Sequence, residues 1–105
     1  MTTFDERERA YEAKFAHDAE LDFKAVARRN RLLGLWAAAI LGKTGAEAEA
    51  YAKDVVRADF EEAGHEDVVR KVAHDLGDRS SPEAIRAKMA ELLAEARSQV
   101  MTEVV

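Results

Sequence analysis

Apolar residues return along the C-terminal part of the chain at spacings of three and four. Ile85, Met89, Leu92, Ala96 and Val100 form one such row. This row marks the core-facing stripe of an amphipathic helix over about 82–103. Ser81 before Pro82 supplies an N-cap followed by a first-turn proline. Val68, Val69, Val72, Ala73 and Leu76 repeat the pattern over 66–76, and Ala48, Tyr51, Ala52, Val55 and Val56 repeat it over 46–62. A fourth helix is predicted over about 20–42. Glycines punctuate these runs: Gly42 and Gly45 around Lys43-Thr44, then Gly64, then Gly77 ahead of the polar stretch Asp78 to Ser81. Val and Ile never alternate with polar residues as a half-buried strand requires. The expected fold is all-α, with short loops that make successive helices antiparallel neighbours in a four-helix bundle.

The first segment departs from this pattern. Nothing but Gly34 opposes a helix from Phe4 to Leu41, which would be about 57 Å long. A domain of this size has a radius of gyration of only about 13 Å, so three shorter helices cannot cover such a rod. Either the chain bends or frays near residue 20, or its first part projects from the bundle. Residues 1–20 contain no Leu, Ile or Val, yet they hold Phe4, Tyr11 and Phe15 among Asp5, Glu6, Arg7, Glu8, Arg9, Glu12, Lys14 and Asp18. The three aromatics fall within about 40° on a helical wheel. So narrow a stripe offsets little of the entropy of ordering the segment and suits a partner's groove. The opposing reading folds the same aromatics back onto the bundle. Residues 1–19 are therefore expected to form a mobile, helix-prone extension, and residues 20–105 the bundle.

Composition narrows the function classes. The chain has 105 residues, enough for one core, with a net charge of −5 and no cysteine. Disulfides, thiolate zinc sites and thiol catalysis are excluded, and the acidic balance argues against a dedicated nucleic-acid binder. The run from Leu32 to Gly42 is far shorter than the roughly 20 apolar residues that span a bilayer. No membrane insertion is expected, and the charged N-terminus does not resemble a secretory signal. A cytoplasmic location follows as an expectation.

Several motifs suggest chemistry and fail on inspection. Gly42-Lys43-Thr44 resembles the end of a P-loop, but position 37 is Ala and a helix precedes it instead of a strand. What survives is weaker: Lys43 beside the free amides at Thr44 and Gly45, a place that attracts phosphate, although such caps are more often structural. Glu62 and His65 match one half of a di-iron helix motif, yet no second copy exists and Gly64 interrupts the spacing. His17, His65 and His74 are scattered, so no metal site is expected. No Ser/His/Asp set appears, and no catalytic residue is assigned.

The stretch Ala27-Arg28-Arg29-Asn30-Arg31, followed by Leu32 to Trp36, is the least ordinary. Residues 21–42 carry four bases against one acid inside an acidic protein. Arg28 and Arg31 read as a solvated basic face. Arg29 instead falls on the stripe that holds Val26, Leu33, Trp36 and Ile40, where an unpaired guanidinium is very costly. Asp59, one turn after Val55, has the mirror-image problem. Either Arg29 pairs with Asp59 inside the bundle, or Arg29 and Trp36 line a small pocket for an anionic ligand.

Several strings carry a family resemblance. FDERERAYEAKFAHDAELDFKAVARRNRLLGLWAA, LLGKTG, YAKDVVRADFEEAG, EDVVRKVAHDL and IRAKM occur in that order. Together they resemble the ζ subunit, the inhibitor of the alphaproteobacterial F-type ATP synthase, over Thr3 to about Gln99. The resemblance implies a helical bundle whose N-terminal segment is mobile when free and ordered in the enzyme complex. It implies that this segment blocks ATP hydrolysis by the catalytic sector, and that the bundle takes adenine nucleotide, ATP or ADP, with no cofactor required. Phe4 to Phe15 match the inhibitory region and Ala27 to Trp36 the family's most distinctive stretch. His65 departs from the family pattern, which has an aspartate capping the third helix, so a weaker cap is expected there.

The leading expectation is a non-enzymatic inhibitory subunit. Residues 1–19 would insert as a helix into the catalytic sector of the ATP synthase, with Phe4, Tyr11 and Phe15 as apolar anchors and Arg7, Arg9 and Lys14 pairing on the rim. The alternative is an adenine-nucleotide-binding regulatory module acting on another partner, with Arg29, Trp36 and Lys43 as candidate ligand residues.

Overall fold

The computed structural model describes the backbone of residues 3–60 and 65–104, and the side chains of residues 18–60 and 65–103. Four helices follow in order: α1 (Thr3–Ile40), α2 (Gly45–Ala58), α3 (Glu66–Leu76) and α4 (Pro82–Val104), with a 3-10 turn at Gly77–Arg79. The all-α bundle is as the periodicity predicts. α1 runs as a single helix of 38 residues, so no backbone break marks residue 20. Of the mobile segment expected over residues 1–19, residues 1–17, with Phe4, Arg7, Arg9, Tyr11, Lys14 and Phe15, lie outside the residues whose side chains are described. So does the break expected at Gly64.

α1 is the helix against which the others are arranged. Its buried positions are Ala25, Arg29, Asn30, Leu33, Gly34, Ala37 and Ala38, a repeat of three and four residues that keeps one face inward. Small residues dominate that face, which lets α2 approach closely. Leu33, Tyr51, Val55, Val68, Val72, Leu76, Ile85, Met89 and Leu92 form a single core cluster. All five stripe residues of α4 are buried.

The ends of the elements follow from local chemistry. The Ser81 hydroxyl accepts the Ala84 amide at 3.2 Å, and Pro82 opens α4. α3 stops at Gly77, whose φ of 56° is one that L side chains rarely adopt. His65 occupies the N-cap of α3 without a side-chain cap bond. Asp67 in the first turn accepts the Val68 amide instead, at 2.9 Å. α2 is shorter than its sequence suggests. It ends at Ala58 with the Asp59 and Phe60 amides bonded back to Val56 and Arg57, whereas the pattern extends it to residue 62. Among the described residues no helix is long and apolar enough to cross a membrane.

Candidate functional site

The run Arg28-Arg29-Asn30-Arg31 occupies one turn of α1, and successive side chains on a helix point about 100° apart. Each arginine therefore leaves α1 toward a different neighbour. Arg28 forms a two-pronged pair with Glu103 on α4, and Arg31 donates through Nη2 alone to both carboxylate oxygens of Glu49 on α2, at 2.9 and 3.1 Å. Arg29 points inward to the start of α3. Arg28 and Arg31 stay on the solvated face that the sequence suggests, paired there with exposed carboxylates, while Arg29 is buried. The Arg28 partnership raises the arginine pKa and holds the Glu103 carboxyl below its ordinary value, in both cases mainly through the hydrogen bond between them. Arg86 and Glu66 make a comparable clasp between α4 and α3, which likewise lowers the Glu66 pKa.

Arg29 is 3% exposed, as its place on the stripe predicts, but its partners are different ones. Its Nε and Nη2 donate to Asn30 Oδ1 at 3.2 and 2.9 Å, and its Nη2 lies 3.0 Å from His65 Nδ1. Asp59 stands behind the imidazole, with Oδ1 3.4 Å from the same nitrogen. The expected direct Arg29–Asp59 pair is replaced by a chain in which His65 is the middle link. The physical reason is that α2 ends at Ala58, leaving Asp59 outside the helix and His65 closer to the guanidinium. Burial lowers the Arg29 pKa, and the nearby Asp59 charge opposes that shift. Asn30 is 1% exposed and is the residue that sequence reasoning missed. Its signal was present, since a buried arginine needs a neutral acceptor beside it as much as a carboxylate.

The three candidate nucleotide residues do not share one environment. Arg29 is engaged with Asn30 and His65. Trp36 lies two turns further along α1, about 10 Å away, partly buried against the core, with Lys88 Nζ of α4 6.0 Å from its ring centre. Lys43 lies in the turn between α1 and α2, where its amide donates to the Ala38 carbonyl at 2.8 Å. Thr44 caps α2 without a side-chain bond. Among the described residues no group of three or more His, Asp or Glu side chains is placed to hold a metal ion.

Elsewhere in the bundle, Tyr51 of α2 donates its hydroxyl to Asp75 of α3 at 2.8 Å. Lys71 Nζ lies 3.1 Å from the same carboxylate and 5.3 Å from the tyrosine ring centre. Burial and the Asp75 carboxylate together push the phenol pKa well upward, so Tyr51 stays a donor. This arrangement and the arginine clasps fasten helices together; none of them assembles a nucleophile with a base.

Comparison with known proteins agrees with a regulatory role. A chain solved by NMR in solution is 58% identical to this one, with a TM-score of 0.73. The alignment covers 79% of this chain and 98% of that one. No curated protein matches the sequence. Residues 1–99, spanning the whole of α1 and nearly all of the bundle, match the family described as ATPase inhibitor subunit zeta. The arginine turn, the core stripe from Ile85 to Ala96 and the N-terminal half of α1 all fall within those residues, and the chain belongs to the ATPase inhibitor subunit zeta family.

Proposed function

We propose that this chain restrains ATP hydrolysis by an F-type ATPase by inserting the N-terminal part of α1 into the catalytic sector. The observation that carries the reading is the continuity of α1. One helix runs from Thr3 into the buried stripe that begins at Ala25, inside a chain of the inhibitor family. A segment continuous with a packed helix enters a cleft with less entropy to lose than a free tail has. Phe4, Tyr11 and Phe15 are then the apolar anchors, and Arg7, Arg9 and Lys14 pair with carboxylates at the rim. The block is steric, because a helix wedged between moving subunits opposes their rotation. The test is ATP hydrolysis by the purified cognate catalytic sector, with the full chain and with a chain lacking residues 1–19. Inhibition by the full chain alone supports the reading, and equal inhibition by both refutes it.

A second reading rests on Trp36. A partly buried indole beside Lys88 offers a ring for adenine to stack on and an ammonium for phosphate, with Lys43 in the nearby turn. Arg29 would then act by positioning α1. ADP or ATP bound equally well by the truncated chain, and lost in Trp36→Ala, supports nucleotide binding by the bundle.

A further inference from the structure

His65 Nδ1 lies 3.0 Å from Arg29 Nη2 and 3.4 Å from Asp59 Oδ1. A guanidinium only donates and an ionised carboxylate only accepts. One ring nitrogen therefore cannot satisfy both. With its lone pair free it accepts from Arg29; carrying a proton it donates to Asp59 and turns a second donor against the guanidinium. The shorter distance belongs to Arg29, whose guanidinium is buried and has the greater need of an acceptor. Asp59 is better supplied with water, since 17% of its side chain is exposed.

We propose that His65 is a proton-operated connector that ties the start of α3 to α1 through Arg29 when neutral, and to the end of α2 through Asp59 when protonated. Half of the imidazole is exposed, at 51%, so protons reach it without any opening of the bundle. After the exchange Arg29 still holds Asn30 Oδ1 through both Nε and Nη2, and its charge is not left stranded. The other charged groups near this junction have partners of their own. On α2, Arg57 lies 3.9 Å from Asp54. On α3, Glu66 is clasped by Arg86 of α4 and Asp67 accepts the Val68 amide. Glu61 and Glu62 add two carboxylates to the connection by sequence. The proton on His65 thus decides which of two neighbouring helices holds the N-terminus of α3.

The experiment uses the full chain, labelled with nitrogen-15 and carbon-13, followed by NMR from about pH 8 to about pH 5, the span in which imidazoles change charge. The expected neutral ring carries its proton on Nε2, with Nδ1 reading as an acceptor. On acidification the Arg29 Nε and Asp59 carboxyl signals should move along the same curve as the His65 ring. In His65→Gln, which keeps a hydrogen-bonding group but does not titrate, those two movements should vanish. A neutral ring protonated at Nδ1 would overturn the proposal. So would Arg29 and Asp59 signals that stay fixed while His65 titrates, or that still move in His65→Gln. The ring tautomer is read from the unaltered protein and needs no variant to fold.

Discussion

Gly34 on α1 and Ala52 on α2 meet backbone to backbone: a methyl group built at Gly34 would lie 2.6 Å from the Ala52 Cα and 3.1 Å from its Cβ. Replacing a helical glycine by alanine ordinarily gains about 1 kcal/mol of helix propensity. Here the obstructing atom is main chain and cannot rotate away, and overpacking of this kind costs about 1–3 kcal/mol. Gly34→Ala is therefore expected to lower the melting temperature. A rise would show that the two helices separate readily.

Asn30 and Asp59 should differ in what they contribute. Asn30→Ala removes the acceptor shared by two Arg29 donors in the interior, and its expected cost is about 3 kcal/mol. Asp59→Ala removes a partner that reaches Arg29 only through His65, and about 1 kcal/mol is expected. Urea denaturation of both variants gives the order. A direct Arg29–Asp59 ion pair would reverse it.

Acid should loosen two of the helix clasps. The Glu66 and Glu103 carboxyls are held below their ordinary value of 4.5, each chiefly by its arginine's hydrogen bond. A carboxyl whose folded pKa is lowered contributes stability that is complete above its unfolded value and lost as the pH falls through the folded one. Thermal melts from neutral pH down through the carboxylate range should show a smaller loss in the Glu66→Gln, Glu103→Gln double variant than in the parent. Both side chains are more than half exposed, so about 1 M salt, with a screening length of about 3 Å, should narrow the difference. Identical acid limbs would show that neither clasp contributes.

The N-terminal aromatics should divide function from folding. If they are anchors in a partner's cleft, Phe4→Ala, Tyr11→Ala and Phe15→Ala each weaken inhibition by about 1–3 kcal/mol and leave the melting temperature unchanged. If they pack on the bundle, each loses about 3–5 kcal/mol of stability instead. Melting temperature and inhibition constant, measured on the same three variants, separate the two. Single changes at Arg7, Arg9 or Lys14 should act mainly on the association rate and its salt dependence.

What could be read in advance was whatever a helix settles within itself. The α4 stripe, the Ser81–Pro82 start and the span of α3 each depend on neighbours three or four positions away, and the structure agrees with all of them. The burial of Arg29 was legible for the same reason, since one charged residue stood on an apolar face. Its partners were not. His65 lies 36 positions away along the chain, and the choice between it and Asp59 turns on where α2 ends. The solvated positions of Arg28 and Arg31 were legible too, but not their pairing with Glu103 and Glu49, which lie 75 and 18 positions distant. The family was legible in continuous strings, which need no tertiary information.

The arginine turn also shapes how the molecule opens. Glu49, His65 and Glu103 belong to the three other parts of the bundle, and all return to residues 28–31 of α1. Partial openings that release the end of α4 or the N-terminal half of α2 each break one of these links and leave the others intact. Such openings govern the slow exchange of backbone amides with solvent, region by region. The amides from Leu33 to Ala38, enclosed just beyond the turn, have no partial opening of their own. They should exchange only when the whole bundle unfolds, and so report its global stability, while those around Met101 to Glu103 exchange through local fraying.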